Sequence, residues 1–148
     1  MLTVDMADLP ALAGRDLGCS DWMVVDQGRI DRFADATDDH QWIHVDVPRA
    51  TQELGGTIAH GFLTLSLLAA MSYQTLEVRD ARRGVNYGFN KIRFLAPVPA
   101  GARVRSRQTL DTVEEKAGGL ILTRTVTIDI EGQEKPALVA EWLTAVYR

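Results

Sequence analysis

Apolar residues recur at helical spacing through much of the first half of the chain and alternate with polar ones through the second. Trp22 to Val25 is a short apolar run suited to an edge strand. Asp26 stands where an N-cap belongs, ahead of a helix in which Ile30, Phe33 and Ala34 share one face. That helix is expected to end near Thr37, because Asp38-Asp39-His40-Gln41 has no apolar periodicity, and the stretch through His44 does not read as helix. Asp46 and Pro48 open a second short helix, with proline tolerated in its first turn, and Gly55-Gly56 stops it. From Gly61 to Met71 the residues Phe62, Leu63, Leu65, Leu67, Leu68 and Met71 point in nearly every direction around a helix. A helix apolar on all sides belongs inside a protein, so something must wrap around it.

The wrapping follows in sequence. Val85 to Val98, Ala102 to Val113, Leu120 to Glu131 and Pro136 to Tyr147 read as four strands. Pro97 to Gly101, Lys116-Ala117-Gly118-Gly119 and Glu131-Gly132-Gln133 supply the turns. Alternation is clearest from Leu120 to Ile130 and in Val104-Arg105-Ser106-Arg107. Strands near a dozen residues long imply a strongly curved antiparallel sheet. A curved sheet around one buried helix is the hot-dog arrangement, an α+β fold. Its open edge and flat face call for a partner, so a homodimer is expected.

Composition narrows the class. The 148 residues suit one domain, residues 1–148, with 46% hydrophobic and 24% charged positions. A net charge of -4 gives no general basic surface for nucleic acid. The single cysteine, Cys19, has no internal disulfide partner, which favours a reducing compartment. The N-terminus lacks a basic stretch followed by an apolar run, and Gly61 to Met71 is about half the length of a membrane span. The expected location is the cytoplasm, with no membrane partner.

Candidate chemistry is concentrated in one place. His40, His44 and His60, the only histidines, fall within 21 residues, beside Asp38, Asp39 and Asp46. Imidazole exchanges protons near neutral pH, and a carboxylate can orient and charge it. Asp39 and His44 are five positions apart, so their side chains meet only if the loop between them folds back.

The run Phe33-Ala34-Asp35-Ala36-Thr37-Asp38-Asp39-His40-Gln41-Trp42-Ile43-His44-Val45-Asp46 resembles the hydratase signature of the MaoC-like dehydratases. Gly56-Thr57-Ile58-Ala59-His60-Gly61-Phe62, Asn86 to Phe94, and Pro97-Val98 before Gly101 agree with it in the right order. Gln41-Trp42 is similar to the branch that includes nodulation protein N-like members. The resemblance implies an (R)-specific enoyl-thioester hydratase, or 3-hydroxyacyl-thioester dehydratase, that needs no cofactor and no metal. Asp39 and His44 match the family's catalytic pair, which activates a water for addition to C3 of a trans-2-enoyl thioester. Gly61 matches the glycine whose N–H holds the thioester oxygen. The substrate would be carried on coenzyme A or acyl carrier protein. Gln41, Trp42, His60, Tyr87, Gly88 and Asn90 are candidates for lining the substrate channel. Lys91, Arg93, Arg103, Arg105 and Arg107 either meet coenzyme A phosphates or form a solvated face.

Two departures from the signature bear on rate. Asp38 replaces the usual glycine and is strained if that position needs a positive φ. Gln41-Trp42 replaces the commoner Asn-Pro, which alters the rigidity of the loop. Three other readings compete. A hot-dog thioesterase would use a carboxylate on the buried helix, yet Gly61 to Gln74 carries none. Ser66 on that helix has no second base nearby in sequence to make it a nucleophile. Asp39, His40 and His44 could ligate a metal if they lay on a helix. A non-catalytic acyl-thioester-binding subunit would keep the shape alone.

Overall fold

The computed structural model describes residues 1–116 and 118–148. The chain opens with β1 (Leu2–Val4), a 3₁₀ segment Met6–Leu12, β2 (Arg15–Cys19) and β3 (Met23–Val25). Four helices follow: α1 (Gln27–Thr37), α2 (Trp42–Val45), α3 (Val47–Leu54) and α4 (Gly61–Ser72). The rest is strand: β4 (Leu76–Val78), β5 (Arg83–Phe94), β6 (Ala102–Lys116), β7 (Gly119–Ile130) and β8 (Leu138–Tyr147). The six-stranded sheet runs β2-β6-β7-β8-β5, with β3 also on β6, and its pairings are antiparallel. This is the expected hot-dog arrangement, α+β, with α4 against the inner face.

The expected caps are in place. The Asp26 carboxylate accepts from Arg29 N at 2.7 Å, and the Asp46 carboxylate accepts from Arg49 N at 3.1 Å. Gly55 closes α3 in the left-handed region at φ 83°. Alternation on β7 sends Leu122, Arg124, Val126, Ile128 and Ile130 inward. There Val126, Ile128 and Ile130 pack with Leu63, Leu67, Leu68 and Met71 of α4 in the main core. A second cluster forms where Met6, Leu9, Leu12 and Leu17 cover Leu110, Leu122 and Val146.

Several expectations need correction. The stretch read as irregular through His44 contains the single helical turn α2, too short for periodicity to reveal. The first twenty-odd residues hold two strands and a 3₁₀ segment, and β1 pairs in parallel with β4, a contact no local pattern announces. β5 stops at Phe94 rather than Val98, because the N–H groups of Leu95 and Ala96 both turn to the Ala137 carbonyl, at 2.8 and 3.3 Å. α4 is not enclosed on every side, since Phe62, Ser66, Ala70 and Tyr73 form an exposed stripe along it. The turn at Lys116 to Gly119 includes Ala117, which lies outside the described residues.

Candidate active site

The Asp39–His44 loop is folded back by a small set of hydrogen bonds. α1 ends at Asp38, which takes left-handed backbone angles, φ 58° and ψ 18°, and so reverses the chain. Asp is among the few non-glycine residues that enter this region readily. Gln27, on the first turn of α1, donates from Nε2 to the His44 carbonyl at 2.7 Å and to Asp31 Oδ1 at 2.8 Å. Its own Oε1 accepts from the Thr57 hydroxyl. Ile58 N–H donates to the Ile43 carbonyl at 3.1 Å, locking the strand-like approach to α4 against α2. Gln27 escaped the sequence reading, because a glutamine after an N-cap gives no sign of what it will reach.

His44 is 6% exposed, and its Nδ1 lies 2.7 Å from the Ile58 carbonyl oxygen. A carbonyl only accepts, so Nδ1 carries the proton and Nε2 presents a lone pair. Burial pushes the imidazole pKa below its ordinary value. The Ile58 carbonyl and Asp39 pull it up, and His60 adds to the depression. The His60 ring stacks on His44 with centroids 3.8 Å apart. His60 Nε2 donates to the Asp39 carbonyl at 2.9 Å and stands 4.0 Å from Asp39 Oδ2. His60 is 3% exposed and its Nδ1 is buried without a partner among the described residues. It therefore holds Asp39 in place from beneath the loop.

Ligand-type atoms of Asp39, His44 and His60 lie within 4.8 Å of one another. The Asp39 side chain is half exposed, at 52%. His40 does not join them: it pairs with Asp35 at 2.9 Å on the surface, which raises its pKa. The trio weighed from sequence as a metal site, Asp39 with His40 and His44, is thus not assembled.

Beside His44 is a cavity of about 290 Å³, lined by Ile58, Ala59, Gly61, Thr64 and Phe94 among others. Gly61 is the first residue of α4, and the first intrahelical bond runs from Thr64 N–H to the His60 carbonyl at 3.2 Å. The N–H groups of Gly61, Phe62 and Leu63 precede that bond and point from the helix's positive end. A Cβ on Gly61 would stand 3.0 Å from the Phe94 ring, so glycine here makes room for an aromatic wall. Thr64 and Phe94 are wall residues that the sequence reading did not single out as such.

Of the other candidates, Gln41 meets the site through its backbone N–H, which donates to Asp39 Oδ1 at 3.4 Å, and the rest lie elsewhere in this chain. Gln41 caps α2 and is exposed, and Trp42 is stacked under Arg49, 4.0 Å from ring centroid to guanidinium. Tyr87, Gly88 and Asn90 are on the edge strand β5. Lys116 Nζ donates to the Tyr87 hydroxyl at 2.6 Å, and Asn90 Nδ2 donates to Glu141 at 2.5 Å. Arg103 and Arg107 fork onto Glu131 and Asp129, and Arg105 stacks on Trp22, so these arginines form an ion-paired outer face. Ser66 donates to the Phe62 carbonyl at 2.7 Å on the open side of α4, away from any base.

A buried His carrying an open lone pair, with a carboxylate beside it and a helix N-terminus across a cavity, is the equipment of a proton-transfer enzyme on a hot-dog fold. The sequence profile described as "MaoC like domain" matches residues 8–131, and the chain belongs to that family. It is 48% identical over 150 residues to nodulation protein N of Rhizobium leguminosarum bv. viciae, covering 99% of this chain and 93% of that protein. It is 49% identical over 138 residues to 3-hydroxyacyl-thioester dehydratase Z of Mycobacterium tuberculosis, covering 92% of this chain and 91% of the relative. Among solved structures, the (R)-hydratase from A. caviae involved in PHA biosynthesis superposes with a TM-score of 0.72 at 21% identity. That match covers 89% of this chain and 94% of the other, and at such identity it speaks for the fold.

Proposed function

We propose that the protein is an (R)-specific enoyl-thioester hydratase, a hydro-lyase that adds water reversibly to a trans-2-enoyl thioester. Membership of the MaoC-like family and close likeness to a 3-hydroxyacyl-thioester dehydratase support this reading. The observation that supports the mechanism is the proximity of His44 and Asp39, whose ligand-type atoms lie within 4.8 Å, with His44 on the wall of the cavity that Gly61 also lines. Two hydrogen bonds of about 2.8 Å each can span that gap through one water.

In the forward direction His44 Nε2 takes one proton from the water, while Asp39 accepts a hydrogen bond from the hydrogen that stays on the oxygen and so orients it. The water oxygen bonds to C3 as the C2=C3 electron pair moves toward the thioester carbonyl. The Gly61 N–H, unpaired at the positive end of α4, receives the developing oxyanion. The imidazolium then returns the proton to C2, giving the 3-hydroxyacyl product and neutral His44. Dehydration is the same path reversed.

The acyl group is carried on coenzyme A or acyl carrier protein. The whole of residues 1–148 acts as one domain. We place a second copy of the chain against β5 and the open stripe of α4, where Phe62, Tyr73, Val85, Tyr87 and Phe94 are exposed. In that homodimer Tyr87, Gly88 and Asn90 would reach substrate only across the interface. The exposed Cys19 suits a reducing cytoplasm, and among the described residues no helix is long and apolar enough to cross a membrane.

The test is turnover of crotonyl-CoA, followed by loss of enoyl absorbance and by chiral analysis of the product. Formation of the (R)-3-hydroxy product, undiminished by chelator, is the expected result. Release of free thiol would point to a thioesterase, activity lost to chelator to a metal enzyme, and no turnover at any chain length to a binding subunit.

A further inference from the structure

The arginines of this protein are distributed against expectation. Several exposed ones find carboxylates: Arg79 meets Asp5 at 2.8 Å, Arg107 meets Asp129 at 2.7 Å and Arg49 meets Glu53 at 2.9 Å. Arg124, 5% exposed and placed inward on β7 between Leu122 and Val126, meets none among the described residues. Its guanidinium donates to two neutral acceptors, Gln108 Oε1 at 3.2 Å and Thr144 Oγ1 at 2.8 Å, and lies 4.2 Å over the Trp142 ring. Nε is buried without a partner among the described residues. Burial with no compensating anion lowers its pKa to about 10. Buried charges are ordinarily paired, because an uncompensated one opposes folding.

The surroundings hold this guanidinium in place. Gln108 Nε2 donates to Ser106 Oγ at 3.0 Å, which turns its Oε1 toward Arg124. Trp142 is fixed in turn by its indole N–H donating to Asn86 Oδ1 at 3.1 Å. Arg124, Trp142, Asn86 and Thr144 all line a cavity of about 460 Å³ at the C-terminal half of α4, the opposite end from Gly61. Its remaining wall includes the apolar Leu76, Val78 and Val146, the exposed Arg82 and Arg83 and the carboxylate of Glu77, while Tyr73 and Val85, also on the lining, belong to the face assigned to a second copy. The volume falls in the usual range for small-molecule sites, roughly 300–1,000 Å³.

We propose that this cavity is a second ligand site, which takes a carboxylate carried on an apolar stem with Arg124 as its counter-ion. Arg124 is the buried guanidinium of a wall that also carries the exposed Arg82 and Arg83, and its unused N–H groups form the planar fork that matches a carboxylate. The apolar wall suits a hydrocarbon stem better than a hydrophilic phosphate ester. Two sources offer this chemistry: a free fatty acid, or the far end of an acyl chain terminating in a second carboxylate. The latter source rests on the hydratase reading; the binding site itself does not.

The test is titration calorimetry of the full-length chain with octanoate and with octanol. Saturable octanoate binding, roughly tenfold or more tighter than octanol, is expected, and Arg124→Met should abolish the difference. Equal binding of the two, no octanoate binding, or an unchanged preference in Arg124→Met would overturn the site. An acidic side chain of a second copy already paired with Arg124 would give the second of these outcomes. The wild-type comparison stands even if the variant does not fold. A kinetic arm separates the sources. A KM roughly tenfold lower for an ω-carboxy enoyl-CoA than for its methyl-ended analogue, with octanoate competing, assigns the site to substrate. Octanoate binding with equal KM values assigns it to a free carboxylate.

Discussion

His44 is held neutral by its burial and by the neighbouring His60, while its bond to the Ile58 carbonyl selects the tautomer with Nε2 open. Its pKa is lowered from the ordinary 6.5, so the base form persists into mildly acidic solution. The acid limb of the kcat/KM profile, where His44 becomes protonated, should therefore have its midpoint below 6.5. An acid limb centred above 6.5 would contradict that placement. The same shift bears on folding. The unfolded chain takes up the proton first, so the contribution of His44 to stability is complete above the unfolded pKa and is lost as pH falls through the folded one. Asp38 gives a second residue-scale expectation. At φ 58° a side chain is mildly unfavourable, so Asp38→Gly should raise stability by about 0.5–1 kcal/mol in urea denaturation. The sequence comparison with the family's glycine anticipated this strain. It did not anticipate Gln27 or the underlying role of His60, because both act through backbone carbonyls that residue type does not specify.

At the scale of elements, the site is made by α1, α2 and the N-terminus of α4 meeting one another. α1, α3 and α4 could be read from caps, from the glycine stop and from apolar recurrence, signals that sit within each helix. α2 could not, since a four-residue turn has no room for a period. The first turn of α4 carries the most sensitive backbone position. Gly61→Ala keeps the N–H and needs no unusual φ, but its methyl would press on Phe94 at 3.0 Å. Either the ring moves into the cavity or the helix start shifts. We expect a folded protein with kcat/KM reduced about 10²-fold, the scale of roughly 1 Å misplacement. Wild-type activity in that variant would show that neither the ring nor the amide is critical. The β1–β4 pairing illustrates the opposite limit: Leu2 and Leu76 are register partners far apart in sequence, and a three-residue strand carries too little pattern to announce a partner.

For the molecule as a whole, the curved sheet was evident from four long alternating runs, and β6, β7 and β8, consecutive in sequence, pair as neighbours within it. What alternation could not show is that α4 keeps an open side. Phe62 is 68% exposed and Tyr73 75%, and among the described strands β5 pairs with β8 alone. Exposed apolar surface of this extent, next to a strand edge without a partner among the described residues, supports the proposed homodimer. Sedimentation equilibrium should find a dimer, and Phe62→Glu should shift it toward monomer by burying an unpaired charge at the contact. A wild-type monomer at micromolar concentration would remove the homodimer from the account.

The account depends most on Asp39 and His44 acting together on one water. A double-mutant cycle on kcat/KM for crotonyl-CoA hydration tests this directly, using Asp39→Asn, His44→Ala and the pair, with circular dichroism as the check on folding. Residues working as a unit are non-additive, so each single change should remove about 10²–10⁴-fold and the double change little more than either. Losses that multiply, or a single variant that keeps full activity, would mean the two side chains do not share the reacting water.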